Sequence, residues 1–356
     1  MAIKTWIKSI ALTICMLGMV SPAMAKVVDV KTAWVAGQEG FPIWYAKKQG
    51  WDKKVDLNLV MSTYASGQEA LMDFEVNSWV LGGFGAIPTV NGAKNGNMIV
   101  IGIANDESKA NAVMVHNDSP ILLKKGATTS YPAIYGTAVD IRKKVILTTP
   151  LSSAHYTMTK YLEALGVSEK EVVVKNLDQA LALLSFEHDK GDLAVFWAPY
   201  TFMANGKGWA TVATARDVDA RLPLYLVANK AFAAQYPEVM KKYLTLYMRG
   251  LNWLMNAPRE EAVKEMQAYY KEVFDLDYSE TMVDLNFNVF ELFDLATQKA
   301  LFAEKDGSSE VQKWQDNINE FMLNHKAVHK SLEKNIIGSK FIVSSFINMV
   351  EEKDLK

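Results

Sequence analysis

VILTTPLSSAHY, residues 145–156, is the stretch on which the fold turns. Val145, Ile146 and Leu147 read as a short buried strand that Pro150 breaks. Ser152 and Ser153 are favourable N-cap residues for a helix predicted over Ala154 to Leu165, which Gly166 closes. The unsatisfied N–H groups at a helix start carry roughly half a positive charge. Two hydroxyls and the His155 imidazole in that first turn would complete a socket for a small anion. Taken alone, the segment reads first as an ordinary capped helix.

The residues that follow give the segment its context. A strand is predicted over Val172 to Val174, a helix over Leu177 to Glu187, and then comes GDLAVFWAP, Gly191 to Pro199. Pro199 suits the first position of a helix, which puts Trp197 at a strand's carboxyl end, on the lip of a second strand-to-helix turn. Ligands of open α/β sheets bind at such ends. Here the chain resembles the periplasmic solute-binding proteins of ABC importers, in the nitrate/sulfonate/taurine branch and most closely the taurine binders. The resemblance rests on Ser153, His155 and Tyr156, then Asn176 and Leu177, then Gly191, Asp192, Trp197 and Pro199. It covers the chain from Val30 to Pro237. It implies a type II two-lobed α/β fold, mixed sheets flanked by helices, with a helical C-terminal extension.

Export is written into the N-terminus. Lys4 and Lys8 form a basic start, Ile10 to Val20 an apolar centre, and Ala23-Met24-Ala25 a small-x-small cleavage site. The apolar run is shorter than the ~20 residues a membrane span needs. Residues 1–25 are therefore expected to be a cleaved signal peptide and the product to be periplasmic. Leu12-Thr13-Ile14-Cys15 hints at lipidation, but Ile14 is larger than the residue such a signal wants. Cys15 is the only cysteine, so the exported protein would hold none, and a large two-lobed core needs no disulfides. Without Lys4 and Lys8 the chain has 36 basic against 40 acidic residues, a balance that argues against nucleic acid or an anionic membrane as partner.

Strand-like and helix-like segments alternate through the first two thirds, as α/β units require. Strands are predicted at Val28–Val35, Val55–Met61, Val80–Phe84, Met98–Ala104 and Ala112–His116, and a capping box at Ser66–Glu69 opens a helix. Asp118 to Asp140 looks like a polar linker, and Leu224 to Ala228 like a return strand. The expected division is 26–117 plus 223–356 for lobe one and 118–222 for lobe two. Two crossings would leave a cleft that closes by hinge bending. From Tyr236 the pattern is helical, with Tyr269, Tyr270, Phe274, Phe287, Phe290 and Phe293 expected in the core.

Within the cleft, Ser152, Ser153 and His155 are candidate donors to a ligand and Trp197 a candidate wall. Gly85 and Ala86 offer backbone N–H groups where a side chain would obstruct approach. Gln38 lies in the loop where the resemblance implies ligand contact. Asn111 departs from the resemblance, since taurine binders have a glutamate in that segment, suited to an amino group. That departure favours other sulfonates or carboxylates over taurine itself.

Catalytic alternatives lack their motifs: no Gly-x-Ser-x-Gly, no P-loop and no dinucleotide fingerprint occur. His325 and His329, at helical spacing in a Lys-rich stretch, read as a solvated face, so no metal and no cofactor are expected. The expectation is a monomeric receptor, without chemistry of its own, that carries a small organic anion to an ABC permease and its ATPase. The alternatives are a receptor for an aromatic or pyrimidine ligand, and a periplasmic sensor or enzyme.

Overall fold

The computed structural model describes residues 27–64, 66–76 and 78–356; the segment expected to be removed on export lies outside them. Ten strands run β1 Val28–Val35, β2 Leu57–Tyr64, β3 Leu81–Gly85, β4 Met98–Asp106, β5 Asn111–Val115, β6 Val145–Thr148, β7 Val173–Asn176, β8 Leu193–Trp197, β9 Ala210–Thr214 and β10 Pro223–Asn229. They form two five-stranded sheets, ordered β2-β1-β3-β10-β4 and β7-β6-β8-β5-β9. In each, three parallel strands are joined by antiparallel pairing to the rest. All nine residues of β4 are buried, which explains its continuous apolar run: a strand covered on both faces has no solvated side to alternate with.

Two passages connect the sheets. The first runs between Asp106 and Asn111, the second between Thr214 and Pro223. The strand predicted at Ala112–His116 was expected to end the first lobe. Instead β5 pairs with β8 and β9, so the first crossing precedes it. Its sequence does not distinguish the two: five buried residues suit the middle of either sheet. The passages are bonded together. Glu107 N–H donates to the Leu222 carbonyl at 2.9 Å, and Leu222 N–H donates to the buried Asp106 carboxylate at 3.2 Å. Arg221 and Arg216 both reach Glu291, which brings the C-terminal part to the same place.

The presumed linker 118–140 is built into the second unit. Ile121 and Ile134 are fully buried, and Tyr135 N–H donates to the Val212 carbonyl of β9 at 3.0 Å. Beyond β10 the chain is helical, with long helices at Pro237–Asn256, Arg259–Phe274 and Glu310–Asn324. The first two pack on the Phe41–Lys48 helix and the third on the Ala86–Ala93 helix, beside the first sheet, and a bridge between Val100 and Ile342 extends that sheet's β4 edge. Among the described residues no helix is long and apolar enough to cross a membrane.

One contact fixes where the C-terminal helices sit. Gly250 lets the Pro237–Asn256 helix approach the Phe41–Lys48 helix so closely that an added Cβ would lie 2.5 Å from the Pro42 carbonyl oxygen. That neighbour is backbone and cannot rotate away. Gly250→Ala should therefore destabilise the fold by about 1–3 kcal/mol, measured as a lower urea midpoint at unchanged slope.

Candidate functional site

A cavity of about 320 Å³ opens between the two sheets, lined from the loops at their strand ends. The first sheet contributes Val35 to Gly37 and Glu39 after β1, Ser66 to Gln68 after β2, and Phe84 to Pro88 around the end of β3. The second contributes Thr149 to Ser153 after β6, and Trp197 and Ala198 after β8. Glu107 and Leu222 come from the crossings, Leu224 from β10, and Phe290 from the end of the Glu280–Val289 helix. Phe290, expected in the core, is instead half-buried and forms part of the cleft wall.

Three helices begin at this cavity. Ser66 caps the Gly67–Glu75 helix, its hydroxyl accepting from Glu69 N–H at 3.2 Å. Gly85 caps Ala86–Ala93 without a side-chain acceptor, leaving the Ala86 and Ile87 N–H groups at the cavity rim. Ser152 caps Ser153–Ala164. Each start presents partial positive charge to the cleft. A Cβ at Gly85 would meet nothing nearer than 3.8 Å, so packing alone does not demand a glycine there.

The strongest electrostatic feature is acidic. Glu39 sits in the single turn Gln38–Gly40, buried, its carboxyl pressed against Gly37, where an added Cβ would overlap Glu39 Oε2. Gly37 is extended, so backbone strain does not demand glycine; a Cβ there would displace the Glu39 carboxyl. Two tyrosines of the C-terminal helices brace the turn: Tyr247 donates to the Glu39 carbonyl at 2.8 Å and Tyr269 to the Gly37 carbonyl at 2.9 Å. Burial lifts the Glu39 carboxyl from an ordinary 4.5 to about 8, partly offset by a backbone hydrogen bond and reinforced by Glu107. Burial likewise lifts Glu107 to about 7, with repulsion from Asp106 adding, while hydrogen bonds from Asn111 and Ser153 oppose it. Among the described lining residues none is Lys, Arg or His.

The expected site residues divide accordingly. Gly85, Ala86, Ser152, Ser153 and Trp197 all line the cavity. Ser152 is committed to the backbone, accepting from His155 N–H at 3.4 Å and donating to the Thr149 carbonyl at 2.7 Å. Ser153 remains directed at Glu107. Asn111 is buried behind the cavity; its amide donates to the Glu107 carbonyl at 3.1 Å and its side chain supports the Glu107 carboxyl. Gln38 is also buried without lining the cavity, one residue from the glutamate that does.

His155 is the correction. It does not line the cavity: Nδ1 accepts from Leu151 N–H at 3.1 Å and Nε2 faces Glu169 at 3.4 Å. Two residues along a helix is a rotation of about 200°, so with Ser153 facing the cleft His155 must face away. The reading of His325 as a solvated residue also fails, for its Nε2 lies 3.1 Å from Glu169. His155, Glu169 and His325 bring ligand atoms within 4.8 Å of one another. A neutral imidazole has one free lone pair, and His155 spends it on Leu151 N–H. The trio is therefore fully used as a hydrogen-bond network.

Sequence reasoning missed Glu39 and Glu107. The signals were an acid between glycines in GQEG, residues 37–40, and an acidic pair ending a buried strand, Asp106-Glu107. Their titration has a testable sign. Both folded values lie above the unfolded 4.5, so their contribution is complete below that pH and is lost as pH rises toward about 7 and 8. The ligand-free protein should lose thermal stability between pH 5 and 8. Glu39→Gln should flatten that decline and raise Tm at pH 8 by roughly a few degrees, read by scanning calorimetry.

The NMT1-like family profile matches residues 23–268. A protein of Brachyspira hyodysenteriae named as an ABC transporter periplasmic binding protein is 22% identical over 70% of this chain and 72% of its own. One of Bacillus subtilis named as an aliphatic sulfonates-binding protein is 21% identical over 85% of this chain and 83% of its own. Among solved structures, the periplasmic aliphatic sulphonate binding protein SsuA of Escherichia coli superposes with a TM-score of 0.68 at 16% identity. That match covers 86% of this chain and 90% of the other, a likeness of fold. With well over half its length matched, the chain belongs to the NMT1-like family.

Proposed function

We propose that the chain is the periplasmic substrate-binding component of an ABC importer, and that its cleft takes a small ligand with two unlike ends. The observation that carries this reading is the pairing of Glu39 and Glu107 with helix starts at Gly85–Ile87 and Ser152–Ser153 around one cavity. The helix starts suit a sulfonate or carboxylate. The two carboxyls suit an ammonium or amino group. A bare anion would answer the helix starts but be opposed by the acids once they ionise. The carboxyl that Asn111 does not supply stands four residues earlier, at Glu107, so an amino-sulfonate or similar zwitterion ranks ahead of a simple alkanesulfonate or nitrate. The names of the two curated relatives support binding and, for one, sulfonates.

Phe84, Trp197 and Phe290 give the cavity aromatic walls and favour a second reading, a flat amino-substituted heterocycle such as an aminopyrimidine. In either case capture in the cleft would precede delivery to a permease and its ATPase.

Calorimetric titration with taurine, ethanesulfonate and an aminopyrimidine between pH 6 and 8.5 separates the readings. A ligand that binds as an ammonium needs the carboxylates, so its affinity should rise by up to about tenfold per pH unit while a bound glutamic acid must lose its proton. A bare anion, accepting hydrogen bonds from the neutral acids, should weaken over the same range. Binding of ethanesulfonate alone, weakening with pH, would defeat the two-ended reading.

A further inference from the structure

The first turn of the Ser153–Ala164 helix has two working faces. Ser152 and Ser153 line the cleft, while His155, on the opposite face, meets Glu169 and the end of the Glu310–Asn324 helix. His155 and Glu169 belong to the second unit, on the segment between β6 and β7. His325 belongs to the C-terminal helices that pack on the first. The contact therefore spans the two halves of the molecule directly behind the ligand cavity.

Proton accounting fixes the state of each ring. His325 Nδ1 lies 2.8 Å from the Phe321 carbonyl, which only accepts, so Nδ1 carries a hydrogen. Its Nε2 lies 3.1 and 3.3 Å from the two Glu169 oxygens, so that nitrogen must also carry one. His325 is an imidazolium in this arrangement. His155 accepts at Nδ1 from Leu151 N–H and donates from Nε2 to Glu169, so it is neutral. Thr159 donates to the same carboxylate at 2.5 Å. Burial favours protonation of Glu169, but hydrogen bonds from His155, Thr159 and His325 outweigh it and hold the carboxyl at about 2. The groups facing Glu169 are thus His155 and Thr159 from one element and His325 from another. Those facing the two imidazoles are Glu169, the Phe321 ring and carbonyl, and each other.

We propose that His325, Glu169 and His155 form a proton-dependent clasp between the two halves, which loosens when the His325 imidazolium gives up a proton to water. In either neutral tautomer one bare lone pair then faces an acceptor, the Glu169 carboxylate or the Phe321 carbonyl, and the ion pair that draws the halves together is lost. Because the clasp holds the helix whose start lines the cleft, its state sets the spacing of the two halves with no contact to the ligand. The inference is independent of what the cleft binds.

The experiment places one spin label on each half of the ligand-free full chain, at Met72→Cys and Leu184→Cys, both exposed positions, with Cys15→Ser. Glu39→Gln and Glu107→Gln are included so that the cleft acids cannot titrate. The interlabel distance distribution, measured between pH 6 and 8.5, should shift as pH rises. His325→Leu should abolish the shift and show the high-pH distribution throughout; His325→Lys, which keeps a charge, should retain the low-pH one. If His325→Leu fails to fold, judged by circular dichroism, Glu169→Gln should give the high-pH distribution instead. A pH response unchanged in the folded His325→Leu or Glu169→Gln chain would overturn the clasp. So would stoichiometric Zn²⁺ binding that either replacement abolishes.

Discussion

Two carboxyl groups withdrawn from water at one place repel one another, and the cleft is arranged around that constraint. Glu39 and Glu107 come from separate parts of the chain, one from the loop after β1 and the other from the first crossing. Burial holds both toward the neutral form, while Ser153 and Asn111 draw Glu107 the other way. A protein that sought stability alone would gain from replacing such acids with neutral side chains. Their position in a hollow of small-molecule size makes a ligand's own polar groups the natural counterpart.

The C-terminal helices are part of that arrangement and not an appendage to it. Tyr247 and Tyr269 hold the Gly37–Glu39 turn from behind, Phe290 closes one wall, and Glu291 ties to Arg216 and Arg221 at the crossings. Gly250 allows the close approach that places Tyr247, three residues earlier on the same helix, at its carbonyl. Packing in the last third of the chain is thereby converted into the position of one carboxyl near its beginning.

Much of the fold was legible because its signals are local. β1 was read to the residue, and the helix expected from Ala154 starts one residue earlier, at Ser153, capped by one of the two serines offered, Ser152. The carboxyl ends of β3, β6 and β8 were recognised as cavity-forming turns from Gly85, Pro150 and Trp197. What failed was information that sequence does not hold locally. Which sheet receives β5 depends on pairing with β8 and β9, far along the chain. His155 was placed by proximity to the serines, although helical rotation sets it on the opposite face. Gln38 was chosen from the loop where the resemblance implies contact, yet it is its neighbour Glu39 that lines the cavity, and nothing local tells which of the two does. Glu169 and His325 stand 156 positions apart and share no motif.

The order of strands in the first sheet also constrains how the chain can reach its final form. β10 lies between β3 and β4, so that sheet keeps a gap at its centre until residue 229 is available. The second sheet, by contrast, draws all its strands from one uninterrupted stretch, β5 to β9. In a chain that emerges from its N-terminus, the later half can assemble first, and the earlier half must wait with a pair of apolar strand edges unfilled. Whatever escorts the nascent protein has those edges to shield.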